Sequence, residues 1–266
     1  MGWPERLAPS PVAASQRAAP EATGPAVLGA RGLSRHFGRV AALEGVDLDL
    51  AAGSVTALLG DNGAGKSTLI ALLSGVLAPS AGEILIDGAP CRFADPAAAR
   101  SAGVATVFQK LSLVDDRSIA ENLFLGAEPL RFGCFIDRAR MQREARSVLG
   151  RLHVNLPPVT TAVRALSGGQ RQCVAVARTL LRGSRVVILD EPTAALGLRE
   201  TRRVLDLIAR LRDEGRAVLL VSHNMDNVFD VADRALVLRL GRKVADVALA
   251  AVSRADLVGL IVGGAA

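Results

Sequence analysis

The sequence predicts an α/β fold in which helices cover both faces of a mostly parallel sheet. Short β-branched runs alternate with longer segments of helical period along most of the chain. The apolar run 55–59 leads directly into a glycine-rich loop, and a segment of helical period follows it. Strand, loop and helix in this order are typical of α/β domains that bind phosphate groups. No apolar run reaches the roughly 18 residues that a membrane-spanning helix needs.

The apolar pattern places the individual elements. We predict strands at 55–59, 83–86, 104–108, 186–189, 217–221 and 235–240. We predict helices after the glycine-rich loop, over 115–150 with a break at 131–133, from 170 onward, over 200–211 and near 255–262. The first 26 residues hold five of the twelve prolines and show neither the helical nor the strand period of apolar residues. We therefore predict a disordered tail over 1–26 and a folded domain over 27–266.

Composition limits the class of protein. Half of the 266 residues are apolar, which is enough for a sizeable core. The three cysteines are odd in number and lack metal-ligand spacing, which fits a reducing compartment, and Cys173 falls on the apolar face of a predicted helix. The net charge of +6 allows nucleic-acid binding, but the arginines are scattered, so a solvated surface is the favoured interpretation.

The glycine-rich loop matches the phosphate-binding pattern G-x-x-x-x-G-K-[ST]. The candidate nucleotide-binding residues are Gly60, Asn62, Gly63, Ala64, Gly65, Lys66, Ser67 and Thr68. Backbone N–H groups at 63–67 can form a phosphate cradle, the Lys66 ammonium can reach the outer phosphates, and the Ser67 hydroxyl is placed for Mg²⁺. A plain glycine turn before a helix is the alternative, and the preceding strand argues against it.

A second candidate site lies where the strand 186–189 ends in two carboxylates, Asp190 and Glu191. Asp190 is predicted to hold Mg²⁺ through water. Glu191 is predicted to polarise the attacking water near the γ-phosphate. The same run taken alone is also typical of an ordinary strand end, and the phosphate loop upstream favours the catalytic interpretation.

The segment Leu166-Ser167-Gly168-Gly169-Gln170 lies about a hundred residues after the phosphate loop. With that loop, it makes the chain from about Val27 onward resemble the ATP-binding cassette family. The resemblance implies a P-loop NTPase fold with a mixed-sheet core, a helical subdomain at about 110–180, and ATP and Mg²⁺ as cofactors. It also implies a homodimer in which Ser167, Gly168, Gly169 and Gln170 bind the γ-phosphate of ATP held by the opposite subunit.

The resemblance assigns three further residues. His223, 33 residues after Asp190, would contact the γ-phosphate and organise the water and the general base. Gln109 would sense Mg²⁺ and that water, with a permease contact in the stretch 111–122. Phe37 would stack on adenine, although a core or turn phenylalanine is the alternative. Gly197 departs from the family pattern, because many members carry an aspartate there.

Segments 109–114, 120–126, 191–197 and 222–226 resemble the ATPases of bacterial simple-sugar importers. This resemblance implies an ATP-hydrolysing subunit on the cytoplasmic face of a bacterial membrane. Its implied partners are a membrane permease and, indirectly, a sugar-binding protein, with no nucleic acid. The alternatives are an importer of another class, such as amino acids, and a soluble cassette acting on nucleic acid or ribosomes. The soluble proteins usually carry two fused cassettes or a long coiled-coil insertion, and neither is present in this sequence.

Overall fold

A computed structural model of the chain describes residues 25–263. The tail predicted over 1–26 falls almost entirely outside these residues, and its last residue, Ala26, already belongs to the first strand. Within residues 25–263, no helix has both the length and the apolar character needed to cross a membrane.

The structure contains the following strands and helices. The strands are β1 (Ala26–Phe37), β2 (Val40–Ala51), β3 (Ser54–Leu59), β4 (Ala81–Ile86), β5 (Ala89–Cys91), β6 (Val104–Val107), β7 (Leu130–Arg131), β8 (Phe135–Ile136), β9 (Val186–Asp190), β10 (Ala217–Val221), β11 (Arg234–Arg239) and β12 (Arg242–Ala248). The helices are α1 (Lys66–Leu73), α2 (Pro96–Ser101), α3 (Ile119–Phe124), α4 (Arg138–Arg151), α5 (Gly168–Leu181), α6 (Leu198–Asp213), α7 (Met225–Val231) and α8 (Arg254–Val262).

The central sheet has the strand order β12-β11-β3-β10-β9-β6. Its five strands from β11 to β6 are parallel, and β12 is an antiparallel edge strand. Every residue of β3 and β10 is buried, as expected for strands covered on both faces. The predicted α/β fold with a mixed-sheet core is confirmed. The carboxyl ends of β3, β9 and β10 lie at one edge, where ligands bind in such sheets.

A second, antiparallel sheet has the order β2-β1-β4-β5. Buried side chains of β2, including Leu43 and Leu48, share one apolar cluster with Leu69 and Leu72 of α1. This sheet therefore covers the helix that follows the phosphate loop. The apolar pattern predicted only β4 of its strands, because β1 carries several register shifts against β2 that interrupt regular alternation.

Helices α3, α4 and α5 pack together on another side of the central sheet and share its largest apolar cluster. The predicted helix over 115–150 is wrong in its start, whereas the break predicted at 131–133 is present and is longer than predicted. The structure starts α3 at Ile119, because Ser118 and Glu121 form a capping box. It then inserts a short β-hairpin, β7–β8, before Asp137 caps α4. The other predicted elements are present, with ends displaced by a few residues at most.

A buried asparagine fixes the loop that leads into α3. Asn122 is fully buried, and its Oδ1 accepts a hydrogen bond from the Val114 N–H at 2.7 Å. Its Nδ2 donates to the carbonyls of Val114, Arg117 and Ser118 at 2.9, 3.2 and 3.1 Å. One side chain thus holds both ends of the segment 114–118, which lies a few residues after Gln109.

Candidate functional site

A cavity of about 530 Å³ opens at the carboxyl edge of the central sheet. It brings together most of the predicted nucleotide and catalytic residues. They are Asn62, Gly63, Ala64, Gly65, Lys66, Ser67, Thr68, Gln109, Asp190, Glu191 and His223. Residues from the phosphate loop, from the end of β9 and from the segments after β6 and β10 therefore face one space. This convergence is the arrangement expected of a nucleotide site.

Two glycines give the phosphate loop its path. Gly60 has φ +149°, and a Cβ there would lie 2.3 Å from the Leu238 carbonyl oxygen, so no other residue fits without a backbone shift. Gly65 has φ +103°, and its Cβ would lie 2.8 Å from the Ala42 carbonyl oxygen. Gly60 does not line the cavity itself, and its role is to let the loop turn closely past β11.

The ammonium group of Lys66 is held by the loop that precedes it. Its Nζ donates to the carbonyl oxygens of Gly60 at 2.7 Å and Asp61 at 3.0 Å. Burial lowers the pKa of Lys66, while the carboxylates of Glu191, Asp61 and Asp190 oppose that shift. Both acceptors are neutral carbonyls, so an anionic phosphate in the cavity offers this ammonium a stronger partner.

The two carboxylates at the end of β9 occupy different environments. Burial raises the pKa of Asp190, and the neighbouring charge of Glu191 raises it further. Glu191 has φ +49°, and its N–H donates to the Val221 carbonyl at 3.0 Å, which fixes the turn. Its Oε1 lies 2.6 Å from Nε2 of His223. This pair is open enough to reach solvent, since the two side chains are 26% and 50% exposed.

The residues present fit Mg²⁺ and a nucleoside triphosphate. Ser67, Gln109 and Asp190 offer a hydroxyl, an amide and a carboxylate oxygen on the same cavity. In the part of the chain that the structure describes, no group of three or more His, Cys, Asp or Glu side chains could enclose a metal ion. Magnesium usually binds through one or two carboxylates together with substrate phosphates, so this donor set suits it.

The cavity also has walls that the sequence analysis missed. They are Val40, Ala41 and Ala42 of β2, Val221 of β10, and Leu240 and Gly241 of the β11–β12 turn. Phe37 does not line the cavity, although it pairs with Val40 at the turn between β1 and β2. Its ring is half-exposed, and the guanidinium of Arg35 lies 4.9 Å from the ring centroid. Adenine stacking by Phe37 stays a prediction.

The residues Ser167, Gly168, Gly169 and Gln170 lie outside the cavity. They start α5 through a capping box, in which Ser167 Oγ accepts from the Gln170 N–H at 3.4 Å and Gln170 Oε1 accepts from the Ser167 N–H at 3.0 Å. The N-terminus of this helix is consequently ordered but separate from the phosphate loop of its own chain.

Glu200 of α6 packs on this helix start and was not predicted. A Cβ at Gly169 would lie 2.7 Å from the Glu200 Cβ, so only glycine permits this contact. A hydrogen bond from the Ser167 side chain lowers the pKa of Glu200, with help from the Gly169 N–H. No periodicity or motif marks Glu200, because its role depends on how α6 crosses α5. At Gly197, by contrast, a Cβ would meet nothing within 4 Å, so the missing aspartate is not excluded by space.

Comparisons with known proteins agree with this geometry. The family description for ABC transporters matches residues 43–194. A fructose import ATP-binding protein of Rhizobium meliloti is 49% identical over 82% of this chain and 86% of its own. A ribose import ATP-binding protein of Rubrobacter xylanophilus is 45% identical over 88% of this chain, which spans only 46% of that longer protein.

Solved structures give the same answer for the fold. A cassette described as part of an ABC transporter complex of Clostridium perfringens superposes with a TM-score of 0.72 at 28% identity, over 84% of this chain and 88% of that one. An ABC transporter cassette in its ADP conformation gives a TM-score of 0.75 at 22% identity, over 90% and 96% of the two chains. The phosphate loop, the paired carboxylates and these similarities show that the chain belongs to the ABC transporter family.

Proposed function

We propose that this chain is the ATP-hydrolysing subunit of an importer that takes up a simple sugar through a partner membrane permease. The observation that carries the hydrolytic part is the 2.6 Å contact between Glu191 and His223 beside the phosphate loop. The sugar class is supported by the relatives, which are named for fructose and ribose import.

The residues of the cavity divide the chemistry among them. Backbone N–H groups at 63–67 and the Lys66 ammonium bind the phosphates. On binding, the ammonium leaves the Gly60 and Asp61 carbonyls and donates to phosphate oxygens instead. Ser67, Asp190 and Gln109 would hold Mg²⁺, which would neutralise part of the phosphate charge. Glu191 accepts a hydrogen bond from the attacking water and polarises it, while His223 orients the carboxylate. Phe37 stacks on adenine at the outer end of the site.

The site is completed by a second copy of the chain. Ser167 and Gly169 lie outside the cavity, and their donors now bind the Glu200 carboxylate, so phosphate held by a partner would replace that carboxylate as their acceptor. ATP then closes two cassettes head to tail, and hydrolysis reopens them. The helical subdomain, predicted at about 110–180, transmits this movement to a permease contact at 111–122. The subunit works at the cytoplasmic face of a bacterial membrane, with a sugar-binding protein on the other side and no nucleic acid.

The first experiment measures ATP hydrolysis by the full chain alone and then with its permease in a bilayer, with binding protein and candidate sugars. Stimulation by one sugar-loaded binding protein supports the proposal and identifies the sugar. Stimulation by an amino-acid-loaded protein contradicts the sugar class. Hydrolysis that responds to no permease contradicts the transport role.

A second experiment tests the catalytic assignment. Glu191→Gln keeps the shape of the side chain but cannot act as a base, so we expect turnover to fall about 10²- to 10⁴-fold. ATP binding should persist, and a closed dimer should accumulate in gel filtration. Exposed Glu214→Gln at the end of α6 is the matched control and should hydrolyse ATP normally. Turnover equal to that of the parent would contradict the role of Glu191.

A further inference from the structure

We propose that the β7–β8 hairpin and the arginines of α4 form a surface that binds an anionic lipid bilayer. We call it the hairpin surface, and it comprises residues 130–151. Four apolar side chains are crowded into its first seven residues and are turned toward solvent. They are Leu130, Phe132, Phe135 and Ile136, with exposed fractions of 52%, 84%, 68% and 53%.

The hairpin is an ordered projection. Its two strands pair at Leu130–Ile136 and Arg131–Phe135, and the Asp137 N–H closes its base by donating to the Pro129 carbonyl at 2.8 Å. Phe132 at the tip has φ +55°, a conformation that is unfavourable for a bulky residue. The fold thus accepts strain at the residue whose ring is most exposed. Strain of this kind often marks a functional contact.

The charge of the hairpin surface is strongly positive. Residues 130–151 contain six arginines and two carboxylates, a net charge of +4 in a chain whose total is +6. Arg140 pairs with Glu144 at 2.6 Å. Among the described residues, no carboxylate lies within ion-pair distance of the other five arginines. Those five are Arg131, Arg138, Arg143, Arg146 and Arg151, and Arg131 stacks on the Phe132 ring with 5.0 Å to its centroid.

An anionic bilayer offers partners both to the exposed apolar side chains and to the arginines that lack an ion pair. Apolar side chains at a bilayer surface lie at the boundary of headgroups and acyl chains, while cationic side chains beside them contact anionic headgroups. Guanidinium groups bind phosphate oxygens in a bidentate way. An acidic protein surface would neutralise the arginines but leave the two phenylalanines exposed. An uncharged apolar groove would cover the rings and leave the arginines without partners.

The test is co-sedimentation of the full chain with phosphatidylcholine vesicles, with and without phosphatidylglycerol. We expect about tenfold stronger partitioning onto the anionic vesicles, the effect of one or two engaged arginines, and a loss of this preference at high salt. The double variant Phe132→Ser/Phe135→Ser should lower partitioning about tenfold or more. The matched control, Val76→Ser/Val262→Ser, removes apolar residues that are 52% and 75% exposed elsewhere and should bind as the parent does.

The charge is tested by Arg138→Gln/Arg143→Gln, which should remove most of the preference for anionic vesicles. Arg92→Gln/Arg100→Gln removes the same charge from an exposed region elsewhere and should keep that preference. Thermal melting of each variant verifies folding. Equal partitioning onto neutral and anionic vesicles would overturn the proposal, as would unchanged binding by the phenylalanine variant. Loss of permease-stimulated hydrolysis with unchanged vesicle binding would also overturn it and assign the surface to a protein partner. The vesicle assay needs no nucleotide, so its outcome is independent of the proposed ATPase role.

Discussion

Replacing Asn122 by alanine is expected to destabilise the protein by about 2–4 kcal/mol, a magnitude that follows from the fate of each of its hydrogen bonds. Each of the three carbonyls that Nδ2 contacts also accepts a hydrogen bond from a backbone N–H, which the substitution leaves in place. The Val114 carbonyl accepts from the Arg117 N–H, the Arg117 carbonyl from the Val163 N–H, and the Ser118 carbonyl from the N–H of residue 122 itself. Only the Val114 N–H loses its side-chain acceptor without a backbone replacement. The cost is therefore one part-buried donor left without its acceptor, about 1–3 kcal/mol, plus the net contribution of the hydrogen bonds that the amide group itself loses.

The assay is equilibrium thermal or urea unfolding of the nucleotide-free chain. For a domain of this size the loss corresponds to a fall in melting temperature of roughly 5–15 °C. Asn155→Ala removes an exposed asparagine and should change the free energy of unfolding by less than about 0.5 kcal/mol. Asn122→Asp should cost more than alanine, since a carboxylate cannot donate to the three carbonyls. A loss below about 1 kcal/mol for Asn122→Ala would refute the hydrogen-bond accounting.

Three further predictions concern the nucleotide site and the thiols. Gly60→Ala should destabilise the chain by at least about 3 kcal/mol in urea unfolding, because its Cβ would collide with the Leu238 carbonyl. Asp190→Asn should raise the melting temperature of the nucleotide-free chain at pH 7. Burial raises the pKa of Asp190 in the folded state above its unfolded value, so stability falls as pH rises past the unfolded pKa, and at pH 7 the ionised carboxylate destabilises the fold. Cys134 should react with a thiol reagent in the native chain while Cys173 does not, because burial raises the Cys173 pKa to about 11.

Each of these predictions has a control and a contrary outcome. Gly63→Ala places its Cβ in open space and should cost less than Gly60→Ala, so equal losses would show that the collision is unimportant. Exposed Asp213→Asn should leave the melting temperature unchanged. A lower melting temperature for Asp190→Asn at pH 7 would contradict the sign of the shift. Rapid labelling of Cys173 in the folded chain would mean that α5 opens readily.

The sequence predicted the parts of the fold that rest on buried, continuous apolar runs. The strand 217–221 has the predicted bounds. β3 and α1 were predicted from the glycine-rich loop that joins them. Such runs carry their own signal, because both faces of the strand are covered. The same reasoning explains why the phosphate loop and the paired carboxylates were found: they follow directly on these strands.

What the sequence did not predict depends on contacts between distant segments. β12 has only one buried residue, and β1 has irregular pairing with β2, so neither shows a clean period of two. The cavity walls at 40–42 belong to that irregular sheet and were missed with it. Glu200 was missed because its partner Gly169 lies 31 positions earlier and is reached only through the packing of two helices.

The tight turn at Leu240–Gly241 has a consequence for engineering this protein. Leu240 is 84% exposed, which is the usual mark of a position that accepts an inserted peptide or a tag. Yet the Gly241 N–H donates to the Ala64 carbonyl at 3.1 Å, and the Gly241 carbonyl accepts from the Glu44 N–H at 2.8 Å. Lengthening this turn would pull on the phosphate loop, so a reporter fused there would disturb nucleotide affinity in the act of reporting it. A reporter belongs on a loop that shares no hydrogen bond with residues 60–68.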